Sequence, residues 1–307
     1  MSVNDTFRAS SPQPSEEFTN GEAKITSAEQ LAQLTSLIPP TSGPVIAVDL
    51  DDVLSQTNVV VSRWHNDTYQ TEMDTSNFYY YYYWKNPFWG SPMTTHAKVR
   101  EFYVSGNIHT AEPVPGAREG IQALRDMGYR LVIVTARGKD VQAHSWEWVQ
   151  KWFTDCFDSM ICTGQFANSG KKDTVPGARE VVTRLSKAEV CIDIGAKILV
   201  DDSLENALAC ANYVPQSDDI NSTPPRVLLF GSYEWNHRYS EAADEHEDMV
   251  FEKRSELEGG QGFLEVDTRH AKDALERVNR EKTRVTRVKD WSEVVRWISN
   301  EKKEGRM

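Results

Sequence analysis

No apolar stretch in the 307 residues approaches the roughly 18 needed to cross a bilayer, so a helical membrane span is not expected. The first residues, Met1 to Gly21, are rich in Ser, Thr, Asn, Pro and Glu, and lack the basic start and apolar core of a secretory signal. Cysteine is scarce. Cys156, Cys162, Cys191 and Cys210 form no C-x-x-C pair and lie in or beside apolar segments. They read as buried free thiols in a reducing compartment rather than as a disulfide framework or a zinc site. Basic residues are also short: 34 Lys and Arg stand against 46 Asp and Glu, a net charge of −12. That balance excludes a general binder of nucleic-acid polymers, which needs a basic face to displace counterions. There is no Gly-x-Gly-x-x-Gly, no Gly-x-x-x-x-Gly-Lys-Ser/Thr and no Gly-x-Ser-x-Gly, and the seven histidines make no metal-ligand pattern. The expectation is a soluble cytoplasmic protein, with the nucleus left open as an alternative.

What is present is a set of short apolar runs, many of them β-branched. They are Val45–Val48, Arg130–Val134, a weaker Met160–Cys162, Lys197–Val200 and Val227–Phe230. Continuous runs of this length suit strands covered on both faces. Helical patterns lie between most of them, at 117–127, 141–153 and 186–194. Strands alternating with helices imply βαβ units. The expected fold class is α/β: a doubly wound, Rossmann-like parallel sheet.

Two regions break the alternation. Residues 56–111 are too long for a simple crossover and carry the aromatic run Phe78 to Trp84, then Pro87-Phe88-Trp89-Gly90. They are expected to form a small helical cap inserted after the first strand, between core segments 25–55 and 112–307. The acidic stretch at about 240–262 is expected to be an exposed, mobile insertion. Residues 1–24 read as a disordered tail, and Ser27 to Gln30 as a capping box opening a short helix. Trp291 to Ile298 reads as an amphipathic helix packing back on the core. Val-Pro-Gly-Ala-Arg-Glu occurs at 114–119 and 175–180, but its surroundings do not repeat, so a duplicated domain is not inferred.

The first strand ends in Asp49-Leu50-Asp51-Asp52-Val53, the second in Thr135-Ala136-Arg137 and the fourth in Asp201-Asp202-Ser203. Ligands of parallel sheets sit beyond the carboxyl ends of the strands, so these polar groups share one crevice. Singly, each has a bland explanation: Asp after a strand usually caps a helix or turn, and Thr usually bonds local backbone. Jointly they do not. Acids this dense need a cation, and hard carboxylates with no His or Cys beside them suit Mg²⁺.

On these residues the chain resembles the haloacid dehalogenase-like superfamily of phosphotransferases. Asp49 to Val53 matches its first motif, Leu131 to Thr135 its second and Ile198 to Asp202 its fourth. Lys187 is the best match to the lysine of the third, with Lys171 and Lys172 as rivals. The likeness covers about residues 44–230. Within the superfamily, Val53-Leu54-Ser55, Glu112 to Ala117, Val200 to Ser203 and the cap's position look most like the 5′(3′)-deoxyribonucleotidase group. The resemblance implies a Mg²⁺-dependent phosphatase acting on a small phosphorylated substrate, a nucleotide among the candidates. Asp49 would attack phosphorus and become an aspartyl phosphate. Asp51 would protonate the leaving oxygen and then deprotonate water, its carbonyl also holding the metal. Asp201 and Asp202 would complete the protein's share of coordination, and Thr135 and Lys187 would bind phosphoryl oxygens.

Arg137 could contact phosphate or be an exposed surface arginine. In the cap, Trp84, Phe88 and Trp89 could stack on a nucleobase or form the core of the cap, while most of Tyr79 to Tyr83 reads as cap core, with one or two cap aromatics facing the site. Intact Asp49 and Asp51 favour catalysis over a silent, binding or regulatory relative. Asp51 favours phosphoryl transfer over dehalogenation. A phosphonatase would need a Schiff-base lysine in the cap, where only Lys85 and Lys98 are found.

Overall fold

In strands Val45–Val48 (β1), Arg130–Thr135 (β2), Ser159–Cys162 (β3), Ala196–Asp201 (β5) and Arg226–Phe230 (β6), nearly every side chain is buried. Alternation within each strand sends residues to opposite faces. Ile46, Val48, Leu131, Ile133, Ile198, Val200 and Leu228 join one apolar cluster. Val45, Ala47, Val132, Val134, Leu199, Val227 and Leu229 join another. A sheet apolar on both faces must be sandwiched, and parallel strands supply the covering helices through their crossovers. The computed structural model describes residues 43–164, 180–182, 185–214, 223–240 and 244–307. With Glu180–Val182 (β4) and Val285–Val288 (β7), the described residues form a seven-stranded sheet in the order β4-β3-β2-β1-β5-β6-β7, parallel at every pairing. The expected doubly wound α/β architecture is therefore correct. The short strands β4 and β7, which the sequence patterns do not announce, extend it at both edges.

Nine α-helices are found among the described residues: α1 (Thr57–Tyr69), α2 (Pro92–Val104), α3 (Ala117–Asp126), α4 (Gln142–Trp152), α5 (Lys187–Asp193), α6 (Leu204–Asn212), α7 (Phe251–Leu257), α8 (Phe263–Asn279) and α9 (Trp291–Lys303). Helices α3, α4 and α9 cover one face of the sheet through Ile121, Leu124, Trp148, Val149, Val294 and Ile298. Helices α5, α6 and α8 cover the other through Val190, Leu204, Leu208, Ala271 and Leu275. The α3–α9 contact depends on a missing side chain: a Cβ built on Gly120 would lie 2.6 Å from the Trp291 ring. Trp291 is fully buried and donates its indole N–H to the carbonyl of Val53, tying the last helix to the loop after β1.

Helices α1 and α2 and three short 3₁₀ turns make up the cap. A neck joins it to the core: Gln56 donates its backbone N–H to the Glu112 carbonyl at 2.9 Å, and Val114 donates to Leu54 at 2.8 Å. Ser91 caps α2 by accepting from the Thr94 N–H, with Pro92 at the first helical position. The cap has its own apolar centre, built from Val61, Trp64, Phe78, Trp89, Phe102 and Ile108.

The stretch expected to be mobile is ordered over its described part, residues 244–262. A 3₁₀ turn, Glu247–Met249, leads into α7, and Phe251 is buried with its ring stacked on Tyr79. Its acids find cap donors. Asp244 pairs with Lys85 at 3.1 Å, Glu245 with His96 at 2.6 Å, and Glu252 accepts the Phe88 N–H at 2.9 Å. Charge density read without those partners looks like a solvated loop. The predicted N-terminal tail and capping box, the rival lysines 171 and 172, and all but the last residue of the second Val-Pro-Gly-Ala-Arg-Glu copy lie outside the described residues.

A methyl at Gly120 must push the Trp291 ring out of a packed core. Gly120→Ala is expected to destabilise the fold by about 1–3 kcal/mol in urea unfolding, the range for overpacking a core. An unchanged midpoint would contradict the close approach.

Candidate active site

Lys187 is the first residue of α5, and Ser186 opens that helix with a full capping box against Glu189. The cap fixes where the lysine emerges, and its side chain is almost completely buried. Its ammonium lies 2.8 Å from Asp49 Oδ2 and 2.8 Å from Asp201 Oδ2. The two aspartates arrive there by register, because each follows one member of the Val48–Val200 pair on adjacent parallel strands. The Asp49 N–H continues the ladder by donating to the Val200 carbonyl.

The remaining carboxylate oxygens are held as firmly. Asp49 Oδ1 accepts the Leu50 N–H at 2.7 Å. Asp201 Oδ1 accepts from the Ser203 N–H at 2.9 Å and from the Asn206 amide. Asp202 Oδ2 accepts the Trp235 indole N–H at 2.6 Å. Asp49, Asp201 and Asp202 are all buried, and one oxygen from each lies within 4.8 Å of the others. Burial pushes the Asp49 carboxyl up to about 7 although Lys187 pulls the other way. Burial and the neighbouring Asp49 and Asp201 push Asp202 well above the carboxylate range. These three carboxylates could hold a divalent cation; the Asp51 side chain is not part of the group.

Asp51 is engaged elsewhere. Arg137 donates Nε and a terminal nitrogen to it, the shortest contact being 2.7 Å, and the Thr57 hydroxyl donates to its Oδ1. Burial alone would raise the Asp51 carboxyl, but the Arg137 charge and hydrogen bonds, with Thr57, hold it below its usual value. Arg137 is therefore not an exposed arginine. It is buried, its other terminal nitrogen donates to the Ser145 hydroxyl, and the rest of its guanidinium pairs with Asp51. Asp52, at φ +54°, turns its carboxylate away to the Asn58 N–H in the first turn of α1. Thr135 ends β2 fully buried, with its hydroxyl oxygen near the Arg137 N–H.

The cap aromatics do not fall as expected. Trp89 is fully buried in the cap centre, stacked on Tyr83 at 4.4 Å, and unavailable to a ligand. Trp84 is buried against Tyr82 and Lys85. Phe88 is exposed in a left-handed turn, its backbone held by Lys98 and Glu252. The rings that feel the acids are tyrosines. Burial and then Asp49, Asp201 and Asp202 push the Tyr81 phenol well above its usual value. Burial and then Asp52 do the same to Tyr83, as do burial and Asp51 to Tyr103. Tyr83 donates its hydroxyl to Asn58 Oδ1 at 2.6 Å. A run of five tyrosines gives no sequence signal for which members face inward. The cap lysines are both engaged, Lys85 with Asp244 and Lys98 with the Phe88 carbonyl and His65.

Residues 43–177 match the family described as 5′ nucleotidase, deoxy (pyrimidine), cytosolic type C protein. That span carries β1, the cap, β2 and β3, with Asp49, Asp51, Thr135 and Arg137. No curated protein matches the chain. Among solved structures, the chain is similar to a predicted phosphatase from Clostridium acetobutylicum, at 11% identity and TM-score 0.47, over 85% of this chain and 100% of that one. It is also similar to a hydrolase from Deinococcus radiodurans solved with phosphate and sodium, at 13% identity and TM-score 0.45, over 84% and 96%. An L-2-haloacid dehalogenase from Xanthobacter autotrophicus is similar at 11% identity and TM-score 0.40, over 84% and 99%.

Removing one member of a buried ion-pair network leaves the others uncompensated, at a cost of about 3–5 kcal/mol. Lys187→Met, of similar length but uncharged, is expected to lose stability in that range in urea unfolding near neutral pH. A change under ~1 kcal/mol, typical of an exposed pair, would contradict the geometry.

Proposed function

We propose, from the premise that this chain is a haloacid dehalogenase-like phosphomonoester hydrolase related to the 5′-nucleotidases, that it cleaves a nucleoside 5′-monophosphate through a phosphorylated Asp49. The observation that carries the reading is the Asp49–Lys187–Asp201 bridge, with Asp202 closing the group.

The residues present fit Mg²⁺. Three buried carboxylates face one ammonium, an excess of two negative charges when all are ionised, and the donors are all hard oxygens. Asp49, Asp201 and Asp202 would hold the ion, with Asp51 limited to its carbonyl because its side chain is bound to Arg137. When bound, Mg²⁺ supplies positive charge that offsets the repulsion between an anionic nucleophile and a phosphate dianion.

The chain's own groups divide the rest. Leu50 fixes one Asp49 oxygen, and the carboxylate forms a bond to phosphorus as the ester P–O bond breaks. Asp51 delivers a proton to the leaving oxygen. Arg137 keeps Asp51 ionised in the free protein, so the proton has to be taken up with the substrate, whose negative charge raises Asp51's affinity for it. Asp51 then removes a proton from water as it attacks phosphorus. The P–O bond to Asp49 breaks, inorganic phosphate leaves and the carboxylate is restored. Lys187 offers its ammonium to the transferring oxygens, and Thr135, at the end of β2, offers its hydroxyl. The inward-facing tyrosines and Asn58 form the cap side against which the nucleoside is placed. A cytosolic location is consistent with the family description and with four free cysteines.

Wild type is expected to hydrolyse p-nitrophenyl phosphate with Mg²⁺, and Asp49→Asn to fall to background while keeping its circular dichroism. Among natural esters, deoxynucleoside monophosphates should be preferred over sugar phosphates in kcat/KM. Undiminished Asp49→Asn turnover would overturn the mechanism. Equal rates across the panel would overturn the nucleotide assignment alone.

A further inference from the structure

The turn that follows β6 reaches into the acidic site from outside the span matched to the nucleotidase family. It is an elaborately tied piece of backbone. Gly231 sits at φ +85°, and a Cβ there would lie 2.2 Å from the Tyr233 ring, so only glycine lets the ring fold back over it. The Tyr233 ring stacks on Trp235 with centroids 4.2 Å apart and planes 8° from parallel. Asn236, fully buried, donates its amide to the Phe230 and Gly231 carbonyls and receives Arg287 on both its side chain and its backbone carbonyl.

The two rings this turn presents contact the two acidic loops. Tyr233 donates its hydroxyl to the Asp52 carbonyl at 2.8 Å, in the loop after β1. Trp235 donates its indole N–H to Asp202 Oδ2 at 2.6 Å, in the loop after β5. An indole N–H is a donor only, and a bond this short to a carboxylate is charge-assisted, so the pair has one sensible orientation. Asp202 is nearly fully buried, so the indole bond to Oδ2 fixes how its carboxylate is turned. The other edge of Trp235 meets the cap through Phe78.

We propose that Trp235 is a positioning residue for the Mg²⁺ site. Its indole orients the Asp202 carboxylate, and the turn carrying it sets the β5 loop against the β1 loop. The inference rests on the metal reading above and adds to it a determinant far along the chain. Groups that orient metal ligands typically account for 10–100-fold in metal affinity, which sets the expected size of the effect.

The test is calorimetric titration of Mg²⁺ into the full, metal-free chain. Trp235→Phe keeps an aromatic ring against Tyr233 and Phe78 but loses the N–H. Its Mg²⁺ affinity is expected to fall roughly 10–100-fold, with cooperative unfolding retained and turnover recovering as Mg²⁺ is raised. Arg287→Lys loosens Asn236 without removing a ring and is expected to weaken binding severalfold, which keeps the test open if Trp235→Phe is too unstable to titrate. Wild-type binding with unchanged affinity in the variants overturns the role of Trp235 and leaves the metal reading standing. No Mg²⁺ binding by wild type overturns both.

Discussion

Three carboxylates buried within 4.8 Å of one another are the constraint around which this molecule is arranged. Ionised carboxylates resist leaving water, and more so beside each other. Lys187 answers part of that burden, touching Asp49 and Asp201 equally, but it is one charge against three. The push of burial on Asp49 and Asp202 measures the remainder. A site in this condition favours whatever adds positive charge, and under the proposed function a divalent cation relieves it. The arrangement is held because backbone does the holding: adjacent parallel strands for two of the acids, a capping box for the lysine, and donor N–H groups on the oxygens left over.

The two acids of Asp-x-Asp are separated by environment although two residues apart. Asp49 lies between a lysine and two further acids, while Asp51 is drawn by Arg137 and Thr57 into a pocket of its own. Under the proposed function, that divergence lets two like side chains take different roles, one as nucleophile and one as proton carrier. The cap is held as firmly as the site. Lys85, His96 and the Phe88 N–H reach acids in the segment 244–252, and Tyr80 donates to Asp267 in α8. The C-terminal extension thus touches both the cap and, through Trp235, the acidic centre.

The positions of Asp49 and Asp201 were legible in the sequence because strand-end position is local information: an apolar run followed by an acid says where the acid points. Lys187 opens a helix, and only the resemblance singled it out among three lysines. The parallel sheet followed from the same runs. The pairing of Arg137 with Asp51 was not legible, since nothing local tells an arginine just past a strand whether it meets solvent, phosphate or a carboxylate from a neighbouring loop. For Trp89 the sequence leaves both a stacking platform and cap core open, and three-dimensional packing puts it at the cap's centre. The tyrosine run hid the opposite case, because most of it follows irregular backbone with no helical or strand period to say which rings turn inward. Trp235 was out of reach. It stands 33 residues from Asp202, in a turn whose purpose depends on a fold-back at Gly231. The acidic stretch misled for a related reason: its partners lie in the cap, far away in the chain.

The central claim is that the first aspartate of the chain's acidic cluster becomes the phosphoryl carrier. Acid-quenching the wild-type chain during turnover of a phosphate monoester, then locating phosphate by peptide mass spectrometry, tests it directly. The account predicts a base-labile adduct on Asp49 that disappears on chasing with water. A steady-state enzyme with no adduct, or with phosphate on another side chain, would contradict it.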